Sequence, residues 1–489
     1  MSAEGLAEAT TRMRAHGEHE RSVRAFEHNY AILEEVLATG AGGVIPESSI
    51  EPLTDVPTLD GVQFTAAELS TALAQVAVVK LNGGLGTSMG ISGPKSALPI
   101  KDGLTFLDVI CRQVLALRDE HDVDLPLILM NSFRTQDASQ EILARYPDLL
   151  VDGLPLSFLQ SAEPKLREDD LAPVDWPADP ELEWCPPGHG DVYLALSNSG
   201  ALKTLLDKGF RYVFLSNADN LGATCDPRIA AWLLAGDVPY LAEVCERTAN
   251  DRKGGHLAVR KSDGRLVLRD SAMVAPGEDH FFQDTTRYST FHANNLWVDL
   301  HVIDRLLDES EARGEVGLGL PVIVNRKTVD PSDSSSTPVI QIETGMGTAI
   351  ERIEGSRAIH VPRDRFRPVK TTNELLLVRS DIFALAADSS VVSVIDHPEP
   401  YVDLSAPYKL VPHFEERFAH GVPSMKQATS LRVTGDVSFG AGVVCVGDVV
   451  VDGATTPVVA AGTHLGPSPD PHLDSHLDTH LDSHPGTGA

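Results

Sequence analysis

Positive charge is scarce in this 489-residue chain: lysine and arginine total 40 against 70 aspartates and glutamates, a formal charge of −30. A nucleic-acid coat or an anionic-membrane binder needs a broad basic face, so neither partner class is expected. A small anionic ligand remains open, because a local basic pocket can sit inside an acidic shell. Cysteine is also sparse. Cys111, Cys185, Cys225, Cys245 and Cys445 are odd in number and form no C-x-x-C. That argues against a disulfide framework or a cysteine zinc knuckle, and for a reducing cytoplasm. No apolar run approaches the ~18 residues of a membrane span. Residues 1–30 are strongly charged, with Glu18, Glu20, Arg21 and Arg24, and hold no signal-peptide core.

What is present reads as a large soluble protein. At ~150 residues per domain the length suggests about three domains. Residues 1–40 are expected to be helical up to Gly40, and Pro46, Pro52 and Pro57 mark an extended linker after them. Alternating strands and helices follow. Val76–Val79, Leu125–Met130, Leu156–Leu159, Tyr212–Leu215 and Tyr240–Val244 are short apolar runs of the kind buried on both faces of a sheet. Helices are expected from Phe106, with Thr105 as N-cap, and over Thr135–Tyr146, Val192–Leu206 and Ile229–Leu234. The alternation indicates a mainly parallel sheet with helices on both faces. A hairpin is expected around Ser262-Asp263-Gly264.

Beyond about residue 390 the pattern changes to a period of six. Leu431, Val437, Val443 and Val449 form one apolar row, Val433, Phe439, Cys445 and Val451 a second, and Gly435, Ala441, Gly447 and Gly453 a row of small residues. The rows suggest a short parallel β-helix, with an antiparallel β-patch as the rival. From about residue 467 the chain is rich in proline and repeats histidine every fourth position between His472 and His484. A disordered tail is expected there rather than a metal site. The expected domains are 1–65 (helical segment and linker), 66–388 (catalytic), 389–466 (β-helix-like) and 467–489 (tail).

The most informative stretch is Lys80-Leu-Asn-Gly-Gly-Leu-Gly-Thr-Ser-Met-Gly-Ile-Ser-Gly-Pro-Lys-Ser96, expected between a buried strand and a helix. Such loops bring backbone N–H groups up to phosphates. Two common templates fail. Pro94 separates Gly93 from Lys95, so there is no Walker loop, and Gly84, Gly86 and Gly90 miss the dinucleotide spacing by one residue. Lys95 could meet a triphosphate; the competing reading is a structural turn with a surface lysine.

The loop resembles that of eukaryotic-type UTP–glucose-1-phosphate uridylyltransferases. Leu129-Met-Asn-Ser-Phe133, Pro186-Pro-Gly-His-Gly-Asp191, Ser216-Asn-Ala-Asp-Asn-Leu-Gly222, Lys253-Gly-Gly255, Asn294-Asn-Leu-Trp297 and Arg367-Pro-Val-Lys-Thr-Thr372 resemble further blocks of that family, in the same order. The resemblance spans about residues 70–385. It implies an α/β catalytic domain with a Rossmann-like mixed, mainly parallel sheet of the nucleotide-diphospho-sugar transferase type. It also implies the reaction of UTP with glucose 1-phosphate to UDP-glucose and pyrophosphate, with Mg²⁺ as cofactor.

Residue roles follow from the same resemblance. Leu81, Asn82, Gly83, Gly84, Lys95, Gln160, Gly188 and Asn217 would bind UTP. His189, Asn217, Asp219, Glu243, Gly255, Asn294 and Lys370 would bind the sugar phosphate. Lys95 and Lys370 would be catalytic, and Asp219 would hold the metal. Without the resemblance, Asp219 is as readily an Asx-capped turn, Asn294 a capped helix start and Gln160 a polar strand end. Arg363 and Arg365 are read as a solvated charged face. The rivals are a pyrophosphorylase acting on several sugar phosphates and a silent nucleotide-sugar binding protein. Self-association through the C-terminal β region is a further expectation.

Overall fold

The computed structural model describes residues 3–467 apart from 41, 62, 87–88, 92, 249–250 and 252–253. The histidine repeat and Lys253 therefore lie outside the described residues. The chain divides into two compact units. The first runs to Val369 and takes in Leu385–Val391; the second comprises Lys370–Ala384 and continues from Val392. Residues up to 65 thus fall in the same unit as the sheet, and the chain passes between the units at Val369, Leu385 and Val391.

The first unit is built on a seven-stranded sheet. Its strands are β1 (Val76–Asn82), β2 (Leu127–Asn131), β3 (Ser157–Leu159), β4 (Tyr212–Asn217), β5 (Tyr240–Glu246), β6 (Thr290–Asp299) and β7 (Arg357–His360). Their spatial order is β7-β5-β6-β4-β1-β2-β3. β4, β1, β2 and β3 run parallel, as do β5 and β7, while β6 lies antiparallel between β4 and β5. The sheet is mixed and its parallel part carries the alternation seen in the sequence. Every residue of β1 and β2 is buried, which explains the apolar runs Val76–Val79 and Leu127–Met130 at their starts.

The helix Phe106–His121 starts where expected. Thr105 Oγ1 accepts from the Asp108 N–H at 3.1 Å, and the Asp108 carboxylate accepts from the Thr105 N–H at 2.9 Å, a reciprocal cap. The helix expected over Val192–Leu206 is instead two, Val192–Asn198 and Ala201–Asp207, because Gly200 sits at φ +78° and breaks the run. The hairpin forms as expected between His256–Arg260 and Leu266–Arg269, and Ile50–Pro52 adds a third strand from the linker.

Two helices begin the described chain, α1 (Ala3–His16) and α2 (Glu20–Thr39). Ala9, Met13, Val23, Phe26, Tyr30 and Leu33 pack with Leu166, Val322, Ile340 and Ile342 in one buried cluster. The last three belong to Val322–Thr328 and Pro338–Thr344, an antiparallel pair. The amino-terminal helices therefore help to cover the strand that leads to Thr344.

In the second unit, Tyr401–Leu404, Ser424–Thr434, Val444–Asp452 and His464–Leu465 pair in parallel, as do Ser438–Phe439 and Val458–Val459. Leu431 lies opposite Val449 and Val433 opposite Val451, an offset of three hexads. Both apolar rows are buried throughout.

Candidate active site

β1 and β4 are parallel neighbours, with Leu81 opposite Asn217. The glycine-rich loop leaves the carboxyl end of β1, and the Asn217–Gly222 turn leaves the carboxyl end of β4. Two loops from one sheet edge thus emerge side by side, the usual place for a phosphate ligand in such sheets. Between them lies a cavity of about 320 Å³. Leu81, Asn82, Gly83, Gly84, Lys95, Gln160, Gly188, His189, Asn217 and Asp219 all line it. Ten positions spread over nearly 140 residues of sequence are brought together.

The central polar contact is between Lys95 Nζ and Asp219 Oδ2, at 2.9 Å. Lys95 stands on a single 3₁₀ turn, Lys95–Ala97, after the loop. The loop does not open a helix directly, as expected from the sequence: a short antiparallel pair, Pro99–Lys101 with Leu104–Thr105, intervenes before the Phe106 helix. Rigid Pro94 precedes the turn and fixes the direction in which the lysine leaves the loop.

Gln160 is buried and held by its own N–H, which donates to the Asn131 carbonyl at 2.8 Å. Its side-chain amide lies directly against Gly83, where any Cβ would collide with Gln160 Nε2. The glycine thus makes room for Gln160 as well as for a ligand. Gly188 has φ +80°, and a Cβ there would lie 2.6 Å from the Thr344 carbonyl oxygen. Only glycine fits this turn. Asn82 is oriented otherwise than a ligand-reading amide: its Nδ2 donates to Asn131 Oδ1 and to Ser139 Oγ, each at 2.7 Å. Its side chain anchors the root of the loop.

His189 Nδ1 accepts from the Met346 N–H at 3.0 Å. The neutral ring therefore carries its proton on Nε2. Crowding away from water lowers the His189 pKa, with Glu343 and Asp270 opposing the shift. A neutral Nε2–H donor at the cavity is the result.

The residues expected on the hexose side are placed less directly. Asn294 has φ +56°, in a stretch of β6 where the pairing with β5 shifts register between Ala242 and Val244. It is within a strand, not at a helix start. The bulge turns its amide toward the site, and Nδ2 donates to Asn217 Oδ1 at 3.3 Å. Gly255 accepts from the His292 N–H at 3.0 Å, and His292 Nδ1 accepts from the Asn294 N–H at 3.3 Å. Gly255 and Asn294 are thus joined through His292 rather than by lining the cavity.

Glu243 is a correction. Its side chain is fully buried and its carboxylate is already occupied. Oε1 accepts from Trp297 Nε1 at 2.9 Å and from Arg365 at 2.7 Å; Oε2 accepts from Asn295 at 3.0 Å and from Arg365 Nε at 2.8 Å. A carboxylate with four donors has nothing left for a sugar hydroxyl. Arg365 is equally not a solvated charge: it is buried in this pair. Arg363 is half-exposed and bonds Asp251 and the Glu246 carbonyl.

Two contributors escaped the sequence reading. Glu343 lines the cavity and accepts from Asn325 Nδ2 at 2.8 Å. It arrives on the strand under α1 and α2, so no local pattern near the loop announces it. Asn220 follows Asp219 and is buried. Its Oδ1 accepts from the Arg367 and Gly222 N–H groups, and its Nδ2 donates to the Arg365 carbonyl at 3.1 Å. It ties the Asp219 turn to the segment 365–369, whose last residue, Val369, donates its N–H to the Asp219 carbonyl at 3.1 Å. Lys370 is next in the chain and begins the second unit.

Among the described residues no cluster of three or more His, Cys, Asp or Glu is arranged to hold a metal. A closed protein cage is therefore not formed. Mg²⁺ prefers one or two carboxylates with substrate oxygens and waters, and the Asp219 carboxylate on the cavity suits that donor set.

Comparison with known proteins gives a consistent picture. A family model described as UTP–glucose-1-phosphate uridylyltransferase matches residues 25–445. The enzyme of that name from Solanum tuberosum is 39% identical over 412 residues, 83% of this chain and 81% of its own. That from Saccharomyces cerevisiae is 38% identical over 381 residues, 78% and 74% of the two chains. Among solved structures, the UDP-glucose phosphorylase of Trypanosoma brucei superposes with a TM-score of 0.85 at 40% identity, covering 95% of this chain and 99% of its own. A Leishmania major UDP-glucose pyrophosphorylase mutant in complex with UDP-glucose gives 0.84 at 40%, covering 96% and 99%.

Proposed function

The chain belongs to the UTP–glucose-1-phosphate uridylyltransferase family, and from that premise we propose that it joins UTP and α-D-glucose 1-phosphate to give UDP-glucose and pyrophosphate. The observation that carries the reading is the pairing of Lys95 with Asp219 in a cavity walled by the glycine-rich loop, Gln160 and the Gly188–His189 turn.

In this reading a phosphate oxygen of the sugar attacks the α-phosphorus of UTP in line. The new O–P bond forms as the bond to the β-phosphate oxygen breaks, and pyrophosphate leaves opposite. The nucleophile is already an anion, so no general base is required. The task is to bring two polyanions together and to neutralise the charge that shifts onto the leaving group. Lys95 and the backbone amides of Gly83 and Gly84 hold the triphosphate. The amide of Gln160 and the backbone at Gly188 read the uracil. His189 donates Nε2–H to the sugar phosphate, while Asn217 and Asn294 orient the second substrate. Lys370 supplies a further positive charge, a role that rests on its Pro-Val-Lys-Thr-Thr context. Mg²⁺, bound by Asp219 and substrate oxygens, would supply charge neutralisation at the phosphates.

The second unit is read as a short parallel β-helix that mediates self-association. Its parallel pairings and the exposed Val450 and Val458 support this. The five cysteines, all free and buried, are compatible with a reducing compartment.

Pyrophosphate release from the purified protein tests the main reading, with Mg²⁺, UTP and a panel of sugar 1-phosphates, each omitted in turn. Release that requires both UTP and glucose 1-phosphate is expected. Equal turnover with several sugars would move the assignment to a broader pyrophosphorylase, and no turnover by folded protein that binds UTP would overturn it.

A further inference from the structure

Beneath the site lies a lysine that the reaction does not use. Lys80, in β1, is 2% exposed. Its ammonium donates to Ser216 Oγ at 2.8 Å and to the Ala223 carbonyl at 2.6 Å, and sits 5.4 Å from the centre of the Phe214 ring. Among the described residues no carboxylate is within ion-pair distance of it, and Glu243, the acid in its neighbourhood, is taken by Arg365. Burial pushes its pKa down to about 7. A buried cationic head held only by neutral acceptors is costly, and an apolar residue would fill β1 more cheaply. The two acceptors explain its presence. Ser216 and Ala223 flank the Asn217–Gly222 turn, so one ammonium closes both ends of the segment that carries Asn217 and Asp219.

We infer that Lys80 is a positioning residue: it clamps Ser216 to Ala223 and so fixes the height of the Asp219 carboxylate against the triphosphate and its metal. The inference rests on the uridylyltransferase reading. Other restraints hold the interior of the turn: the Ala218 N–H donates to the Leu81 carbonyl at 3.0 Å and the Val369 N–H to that of Asp219 at 3.1 Å, Asn220 bonds Gly222 and the segment 365–367, and Asn294 and Lys95 reach Asn217 and Asp219. Lys80 differs from these in joining Ser216 to Ala223, the residues on either side of the turn.

The test uses the full chain. Lys80→Met keeps an unbranched apolar stem, one atom shorter, while removing the donors. It is expected to lose up to ~10²-fold in kcat, the scale of a misplaced reacting group, with the KM for glucose 1-phosphate changed less than about two-fold. Mn²⁺ binding in the presence of UTP, read by water-proton relaxation, should weaken about ten-fold. In an Asp219→Asn background, Lys80→Met should add almost nothing, because both changes act through one carboxylate. Wild-type kcat and Mn²⁺ affinity in Lys80→Met, or the full loss repeated in the Asp219→Asn background, would overturn the inference. If Lys80→Met does not fold, Ser216→Ala decides: a several-fold kcat loss that vanishes with Asp219→Asn supports the clamp, and unchanged kcat overturns it. An inactive wild-type protein would instead remove the uridylyltransferase reading, so the two failures are distinguishable.

Discussion

The two ends of the candidate site are built in different ways. At the end proposed for the nucleotide, Leu81–Gly84, Lys95, Gln160 and Gly188 line the cavity directly, each near a strand terminus or in a turn. At the hexose end, Gly255, His292 and Asn294 are linked by a relay of hydrogen bonds, and Glu243 is spent on Arg365, Trp297 and Asn295. Apart from Asn82, whose side chain anchors the loop, the first end is a set of groups presented to the cavity. The second is largely a set of groups offered to one another, with Asn217 and Asn294 as its outlet. Carboxylates illustrate the difference: Asp219 faces the cavity beside Lys95, whereas Glu243 is the keystone of a buried network.

Removing a group from each end should therefore give different kinds of loss. Lys95→Ala is expected to lower kcat by about 10²–10³ while the protein still unfolds cooperatively, the magnitude seen when a preorganised charge is removed; pyrophosphate release checks it. Glu243→Ala should instead cost about 3–5 kcal/mol of stability, because it strands a buried guanidinium. Urea unfolding measures this, and a raised KM for glucose 1-phosphate at unchanged stability would restore Glu243 as a sugar contact.

Glycine substitutions sharpen the same contrast within the loop. Gly83→Ala must displace Gln160, whereas a Cβ at Gly84 meets nothing within 4 Å. An increase of about ten-fold in the KM for UTP is expected for Gly83→Ala, the cost of roughly one misplaced hydrogen bond. Gly84→Ala should change KM less than about two-fold, since its amide remains.

The smallest effect concerns His292. Burial, aided by His189, depresses its pKa to about 4 from an ordinary 6.5. Between these pH values the unfolded chain binds the proton that the folded one refuses. His292 thus makes stability rise with pH through that window and contributes no slope above it. His292→Asn should flatten part of the rise in Tm between about pH 4 and 6.5, as seen by calorimetry at stepped pH.

These differences also mark what the sequence could convey. Val76–Val79, Thr105 and the Ser262-Asp263-Gly264 hairpin were legible because a period, a cap or a turn declares itself within a few residues. The glycine-rich loop stood out as a candidate phosphate loop for the same reason, its glycines, Pro94 and Lys95 lying in one stretch, whereas Gln160 and Gly188 entered only through the family resemblance. Glu243 was misread because an acid on an apolar strand looks alike whether it faces a ligand or a distant arginine, and Arg365 lies 122 positions away. The bulge at Asn294 depends on how β5 pairs with β6, which no local pattern contains. Glu343 depends on α1 and α2 covering its strand. Gly200 could have been noticed, since a glycine within a helical run is itself a break signal.

Direct displacement at the α-phosphorus is the claim on which the reading of every residue depends. Turnover of one diastereomer of UTP carrying sulfur at the α-phosphorus, with glucose 1-phosphate, followed by ³¹P NMR of the sugar nucleotide, tests it in a single reaction. Inversion at phosphorus is predicted. Retention would require a covalent enzyme intermediate and would contradict the account.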